Sequence, residues 1–154
     1  STLHTNGSAA TLTRLLEMGV EPYLLASAMA GVIAQRLVRK TCDSCKRPIQ
    51  IPEPLKPLFE PNPPETIYQG AGCSECRGIG YRGRIGVFEL LPMNAELRRL
   101  LNARAGEDAI LAAARAAGLS TLPDEAIKLV REGATTIEEI ARVFHDIEVP
   151  IAQG

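Results

Sequence analysis

Hydrophobic positions recur with different periods along the chain, and the periods predict different elements. Leu12, Leu15 and Leu16 fall at helical spacing, and Gly19 offers a stop. Pro22 suits the first position of a second helix. From Tyr23 to Val38 the chain is apolar most of the way round a helical wheel, which predicts a helix lying inside a larger body. Ile85, Val87, Glu89 and Leu91 alternate with Gly86, Phe88 and Leu90, the period of a buried strand that stops at Pro92. Short amphipathic helices follow. Asn94 caps the first, which carries Leu97, Leu100 and Leu101. Ile110, Leu111 and Ala114 form the inner face of the next, closed by Gly118. Ile127 and Val130 do the same for a third, closed by Gly133. Thr136 and Glu139 match a capping box opening a last helix that buries Ile137, Ile140, Ala141 and Phe144.

Between these periodic stretches the pattern breaks. Residues 41–80 hold all 4 cysteines and seven of the 11 prolines, from Pro48 to Pro64. Proline at that density interrupts helix and sheet alike, so an irregular module is expected, pinned by something other than a hydrophobic core. The chain has 154 residues, 45% hydrophobic and 23% charged, which excludes global disorder and suits one domain or two small ones. A net charge of −1 argues against binding polyanions through bulk charge, and 3 Tyr, 3 Phe and no Trp give few stacking platforms for nucleic acid. The apolar run is broken by Ser27, Gly31, Gln35 and Arg36, short of the roughly 18 uncharged residues of a membrane span. It has no basic leader or cleavage site either, so a soluble, cytoplasmic chain is expected.

Cys42-Asp-Ser-Cys45 and Cys73-Ser-Glu-Cys76 are two C-x-x-C pairs separated by 27 residues. Two residues between thiolates let both address one ion from a tight turn, and two such knuckles complete a tetrahedral four-thiolate site. A closed shell of that kind is structural, and zinc is its usual occupant. Redox thiols or disulfides, and a cluster of another metal, are the alternatives. Lys40, Lys46, Arg47 and Arg77 flank the ligands and would offset the −2 of zinc with four thiolates. The pattern Cys73-x-x-Cys76-x-Gly78-x-Gly80 is locally similar to one knuckle of the DnaJ-type zinc domain.

Gly78-Ile-Gly80-Tyr-Arg-Gly83 has the letters of a dinucleotide-binding loop but follows a cysteine knuckle and leads into a strand, the wrong context. No G-x-x-x-x-G-K-[ST] sequence occurs in the chain, so these residues are not expected to cradle a nucleoside triphosphate by themselves. Arg36, Arg39, Lys40, Lys46 and Arg47, with Arg77, Arg82 and Arg84, read either as charge balance for the metal or as a phosphate- or partner-facing surface. His4, taken alone, reads as a structural histidine.

Taken in order, these pieces resemble the C-terminal part of the ATPases of type II secretion and type IV pilus assembly, over nearly the whole chain. Ser1-Thr-Leu-His-Thr-Asn6 is similar to the family's His box, and Arg14-Leu-Leu-Glu-Met-Gly-Val-Glu-Pro-Tyr23 to the helices after it. Gln35-Arg-Leu-Val-Arg39 leading into the four cysteines resembles the tetracysteine metal module. Gly80-Tyr-Arg-Gly-Arg-Ile-Gly-Val-Phe-Glu89 resembles the return strand, and Thr135-Thr-Ile-Glu-Glu-Ile-Ala-Arg-Val143 the last helix.

The resemblance implies an α/β fold: a partial RecA-like core (1–40), an inserted tetracysteine zinc module (41–80), a return strand into the core (81–92) and a C-terminal helical cap (93–154). It implies a hexameric ring that hydrolyses ATP with Mg²⁺ on the cytoplasmic face of an inner membrane. His4 would lie near the terminal phosphate, Arg84 would contact nucleotide or a neighbouring subunit, and Arg36 would do so more weakly. The zinc module, held by Cys42, Cys45, Cys73 and Cys76, would face a partner such as the inner-membrane platform protein; no nucleic acid is expected.

The family's phosphate-binding loop, magnesium-binding acids and recruitment domains would lie upstream of Ser1. The chain is therefore expected to be a fragment, inactive alone, that self-associates or exposes an apolar patch. The alternative is a free-standing zinc-binding adaptor for peptide or nucleic acid. A helix-turn-helix DNA reader over residues 126–144 is opposed by Glu138, Glu139 and Asp146 against Arg142, acids that phosphates would repel.

Overall fold

The computed structural model describes residues 5–144. The opening pattern of leucines becomes α1 (Ser8–Glu17), with Leu12 fully buried, and Gly19 takes the left-handed conformation just past its end. Pro22 opens α2 at its first position, but α2 (Pro22–Ala28) is two turns long. The single helix expected to run to Val38 is corrected here: Gly31–Thr41 is a strand, β1. Val32 and Ala34 turn inward while Ile33 and Gln35 turn out, a two-residue period that the uniformly apolar composition hides. Gly31 is the joint. A Cβ there would stand 2.9 Å from the Leu91 carbonyl oxygen, so only glycine lets the strand begin so close to its partner.

That partner is β4 (Tyr81–Pro92), which covers the stretch the alternation indicates. β1 and β4 form a two-stranded sheet, bracketed by bonds from the Met93 N–H to Ala30 O (3.0 Å) and from the Cys42 N–H to Gly80 O (2.9 Å). The proline-rich segment also departs from expectation. It holds a second two-stranded sheet, β2 (Lys46–Gln50) antiparallel to β3 (Thr66–Gly70), with Pro48 opposite Tyr68, and a 3-10 helix over Glu53–Phe59. A two-stranded sheet has only edge strands, and an edge tolerates proline. Ile51, Leu55, Phe59 and Ile67 are buried, so apolar burial helps to fix this segment.

The remaining helices are α3 (Ala95–Asn102), α4 (Glu107–Ala116), α5 (Leu122–Arg131) and α6 (Ile137–Val143). Asn94 accepts the Leu97 N–H at 2.8 Å as the cap of α3, and Gly118 and Gly133 close α4 and α5 with positive φ. The protein is thus a mixed α/β chain. No helix among the described residues is long and apolar enough to cross a membrane.

The chain divides into two compact units, each built from two separate stretches. Unit 1 comprises 1–35 and 88–122. Within it α2 lies against α3, α1 against α4, and α3 against α4, around a core that includes Leu12, Leu25, Leu97, Leu101 and Ile110. Each fully buried leucine contributes roughly 1.5–3 kcal/mol over an exposed one. Ile33, Phe88 and Leu90, all in unit 1, are exposed apolar side chains on β1 and β4. Unit 2 comprises 36–87 and 123–154, so the cysteine segment shares a unit with α6 and nearly all of α5. The Thr41 N–H donates to Ala134 O and Thr135 Oγ1 donates to Arg39 O, both at 2.9 Å. Arg131 donates to the carbonyls of Phe59 (2.9 Å) and Asn62 (2.6 Å), and Lys46 Nζ to that of Glu132 (3.3 Å).

Candidate metal centre

Cys42 and Cys45 lie on the turn between β1 and β2, and the Cys45 N–H donates to Cys42 O at 3.2 Å to close it. Cys73 and Cys76 lie on the turn between β3 and β4, closed by the Gly78 N–H on Cys73 O at 2.9 Å. The two turns are tied by the Ala71 N–H on Cys45 O (3.0 Å) and by the Cys42 N–H on Gly80 O. Gly70 and Gly80 permit this, because a Cβ on Gly70 would stand 2.0 Å from Gly80 O and one on Gly80 2.6 Å from Gly70 O. That contact accounts for Gly80, while Gly78 and Gly83 take positive φ, the left-handed backbone that favours glycine.

The four Sγ atoms lie within 4.8 Å of one another. Cys42 and Cys73 are 3.8 Å apart, Cys45 and Cys76 3.8 Å, and Cys73 and Cys76 3.7 Å. All four are free thiols. A tetrahedral ion with metal–sulfur bonds of about 2.3 Å places its ligands about 3.8 Å apart, so the set matches a four-thiolate site in number, chemistry and spacing. Burial opposes ionisation of Cys76, but the Cys73 and Gly80 N–H groups, each 3.2 Å from its sulfur, outweigh it and bring the thiol down to about 6. Burial pushes Cys45 up to about 12. Thiols bind a metal as thiolates, so an ion entering this set would release protons to solvent.

The flanking cations serve several ends. Lys40 pairs with Asp43 at 2.7 Å, Arg82 with Glu75 at 2.7 Å, and Lys46 lies 4.5 Å over the Tyr68 ring. Arg47, Arg77 and Arg84 are exposed. Arg36 lies half-buried on β1, and the exposed Arg84 lies on β4. His4 lies outside the described residues.

Two buried acids escape the sequence reading. Glu139 was expected to complete a capping box. Thr136 does accept the Glu139 N–H, at 3.3 Å, but the Glu139 carboxylate turns to arginines instead. It accepts from the Arg39 backbone N–H (2.9 Å), Nε (2.7 Å) and Nη2 (2.6 Å), and from Arg142 Nε (2.8 Å) and Nη2 (2.6 Å). Arg39 also lies 4.1 Å over the Tyr81 ring, whose hydroxyl meets Thr136 Oγ1 at 2.6 Å. Burial would raise the Glu139 pKa; the arginine hydrogen bonds overcome it and hold the carboxyl at about 2. No local pattern announces a partner 100 residues away. Glu89 is the second acid, on the buried face of β4 between Val87 and Leu91. The alternation does show that signal: one charged residue in an inward-facing row.

The family model described as "Type II/IV secretion system protein" matches residues 1–142. The chain is 43% identical over 148 residues to "Type II secretion system protein E" of Pseudomonas aeruginosa, covering 95% of this chain and 29% of that protein. It is 42% identical over 145 residues to "Type II secretion system ATPase E" of Vibrio cholerae, covering 93% of this chain and 29% of that one. It is 41% identical over 149 residues to "Type IV pilus assembly ATPase PilB" of Acinetobacter baylyi, covering 93% of this chain and 26% of that one. The chain thus spans less than a third of the length of these relatives.

Proposed function

The chain belongs to the type II/IV secretion system protein family, and from that premise we propose that it is the C-terminal part of an ATPase driving type II protein secretion or type IV pilus assembly. One observation carries this reading: relatives named as such ATPases match more than nine-tenths of the chain at 42% and 41% identity. On this reading residues 1–40 belong to a RecA-like core, the strand over 81–92 returns into it, and residues 93–154 form a C-terminal helical cap. The protein assembles as a hexamer at the cytoplasmic face of the inner membrane and docks on an inner-membrane platform protein.

Cys42, Cys45, Cys73 and Cys76 hold a structural Zn²⁺, which an all-sulfur tetrahedral donor set favours over harder ions. With its coordination shell closed, the ion takes no part in hydrolysis. It fixes the two turns, and with them the module that presents Arg47 and Arg77 towards a partner. His4 contributes at the terminal phosphate and Arg84 at the nucleotide or a neighbouring subunit, with Arg36 a weaker contributor. The chain has no G-x-x-x-x-G-K-[ST] sequence, so the phosphate cradle and the Mg²⁺ ligands come from elsewhere in the protein.

Steady-state ATP hydrolysis by the full-length protein tests this. Turnover is expected to fall by about tenfold or more in His4→Ala and in Arg84→Ala with the protein still folded. The isolated 154-residue chain is expected to show none. Full-length protein without ATPase activity, or hydrolysis by the isolated chain, overturns the reading.

A further inference from the structure

Glu89 is 3% exposed, and a carboxylate so buried costs several kcal/mol unless its oxygens are satisfied. They are satisfied from two helices. Oε1 accepts the Ser8 N–H at 2.7 Å and also meets the Ser8 hydroxyl; Oε2 accepts the Leu122 N–H at 2.9 Å. Ser8 is the first residue of α1 and Leu122 the first of α5. These N–H groups are among those a helix leaves without an internal partner, at its electropositive end. The residue at the α1 cap is Gly7, which has no side chain to accept them. One carboxylate from β4 therefore caps α1 and ties it to the start of α5.

The anchor is passed backwards along the chain. Thr11 Oγ1 donates to Gly7 O at 2.9 Å and meets Thr5 Oγ1 at 2.6 Å, so hydroxyls staple residues 5–11 behind the point that Glu89 fixes. Thr5 is the residue that follows His4.

We infer that Glu89 is a positioning residue for the ATPase reaction: by pinning the first turn of α1 it sets where the chain carrying His4 stands against the nucleotide. The inference rests on the function proposed above and adds a residue to it. A glutamine at 89 keeps the shape but replaces one acceptor with an NH₂ group that faces a donor, which loosens one of the two anchors.

The test is a double-mutant cycle in the full-length protein, reading kcat and KM for ATP with the melting temperature of each variant. Glu89→Gln is expected to lower kcat about tenfold with KM changed less than about twofold. In a His4→Ala background the same change is expected to cost nothing further, because both act through one element. Ser8→Ala, a small change that keeps the backbone bond, is expected to lower kcat about threefold with the protein still folded at the assay temperature. It decides the matter if Glu89→Gln fails to fold. Unchanged kcat in a folded Glu89→Gln, or in Ser8→Ala where Glu89→Gln does not fold, overturns the inference. So does a Glu89→Gln cost that persists in full beside His4→Ala, which marks a purely structural role. If His4→Ala itself leaves turnover intact, the assigned role of His4 fails first and the inference falls with it.

Discussion

Glu89 in unit 1 and Glu139 in unit 2 are both buried acids, held by different donors. Glu89 meets two backbone N–H groups and a hydroxyl, all uncharged, at fixed points of two helices. Glu139 meets one backbone N–H, that of Arg39, and is otherwise held by two guanidinium groups on long side chains, 39% and 57% exposed at Arg39 and Arg142. Neutral backbone donors define a position; arginines neutralise charge and tolerate movement. The surroundings differ too. Unit 1 packs α1 to α4 around an apolar core, whereas unit 2 adds ion pairs and the candidate metal site to its own buried apolar residues, among them Val38, Phe59, Ile67, Val130 and Ile140.

The contrast breaks most sharply on metal removal. A strong chelator, or Cys42→Ser, is expected to abolish amide protection across β2, β3, α5 and α6 while α3 and α4 stay protected. A structural zinc, where one is bound, contributes on the order of 10 kcal/mol to a small fold. Hydrogen exchange followed by mass spectrometry reads this directly, with metal content measured alongside. Equal loss in both units would show that they do not stand apart.

Glu139→Ala comes next, at about 2–3 kcal/mol, below the usual cost of breaking a buried pair because both arginines can turn to water. Denaturant unfolding measures it. pH sharpens the same point. Glu139 titrates at about 2 in the folded chain against an ordinary 4.5, so between those values the unfolded chain binds more protons. Its contribution is full above pH 4.5 and lost as pH falls towards 2. Glu139→Gln is expected to flatten that acid limb of a stability-against-pH curve. The smallest effect belongs to Arg14→Ala, which removes a 3.1 Å pair with Glu17 on the exposed face of α1. Thermal melting is expected to shift by no more than about 0.5 kcal/mol equivalent.

Features resting on neighbours in the sequence were legible in it. The thiol spacing, the strand at 81–92, the Asn94 and Thr136 caps and the closing glycines each depend on residues a few positions apart. Features resting on distant partners were not. β1 reads as helix because apolar residues on both faces erase the period, and its strand geometry comes from pairing with β4. The sheet of β2 and β3 is hidden by prolines that only an edge tolerates. Glu139 reads as a cap because its partner Arg39 lies far upstream. Glu89 was visible as an anomaly in its strand, but nothing local named Ser8 and Leu122 as its donors.

The order of the segments has a consequence for synthesis. Each unit opens, is interrupted by the other, and closes only later in the chain. On the ribosome α1 and α2 emerge long before α3 and α4, and the cysteine turns before the helices that brace them. Neither unit can complete its contacts until its second stretch has been made, so folding of both waits on residues beyond 87. A fragment ending near residue 87 would carry all four cysteines and still lack α5 and α6, so the metal module cannot be lifted out as a cassette.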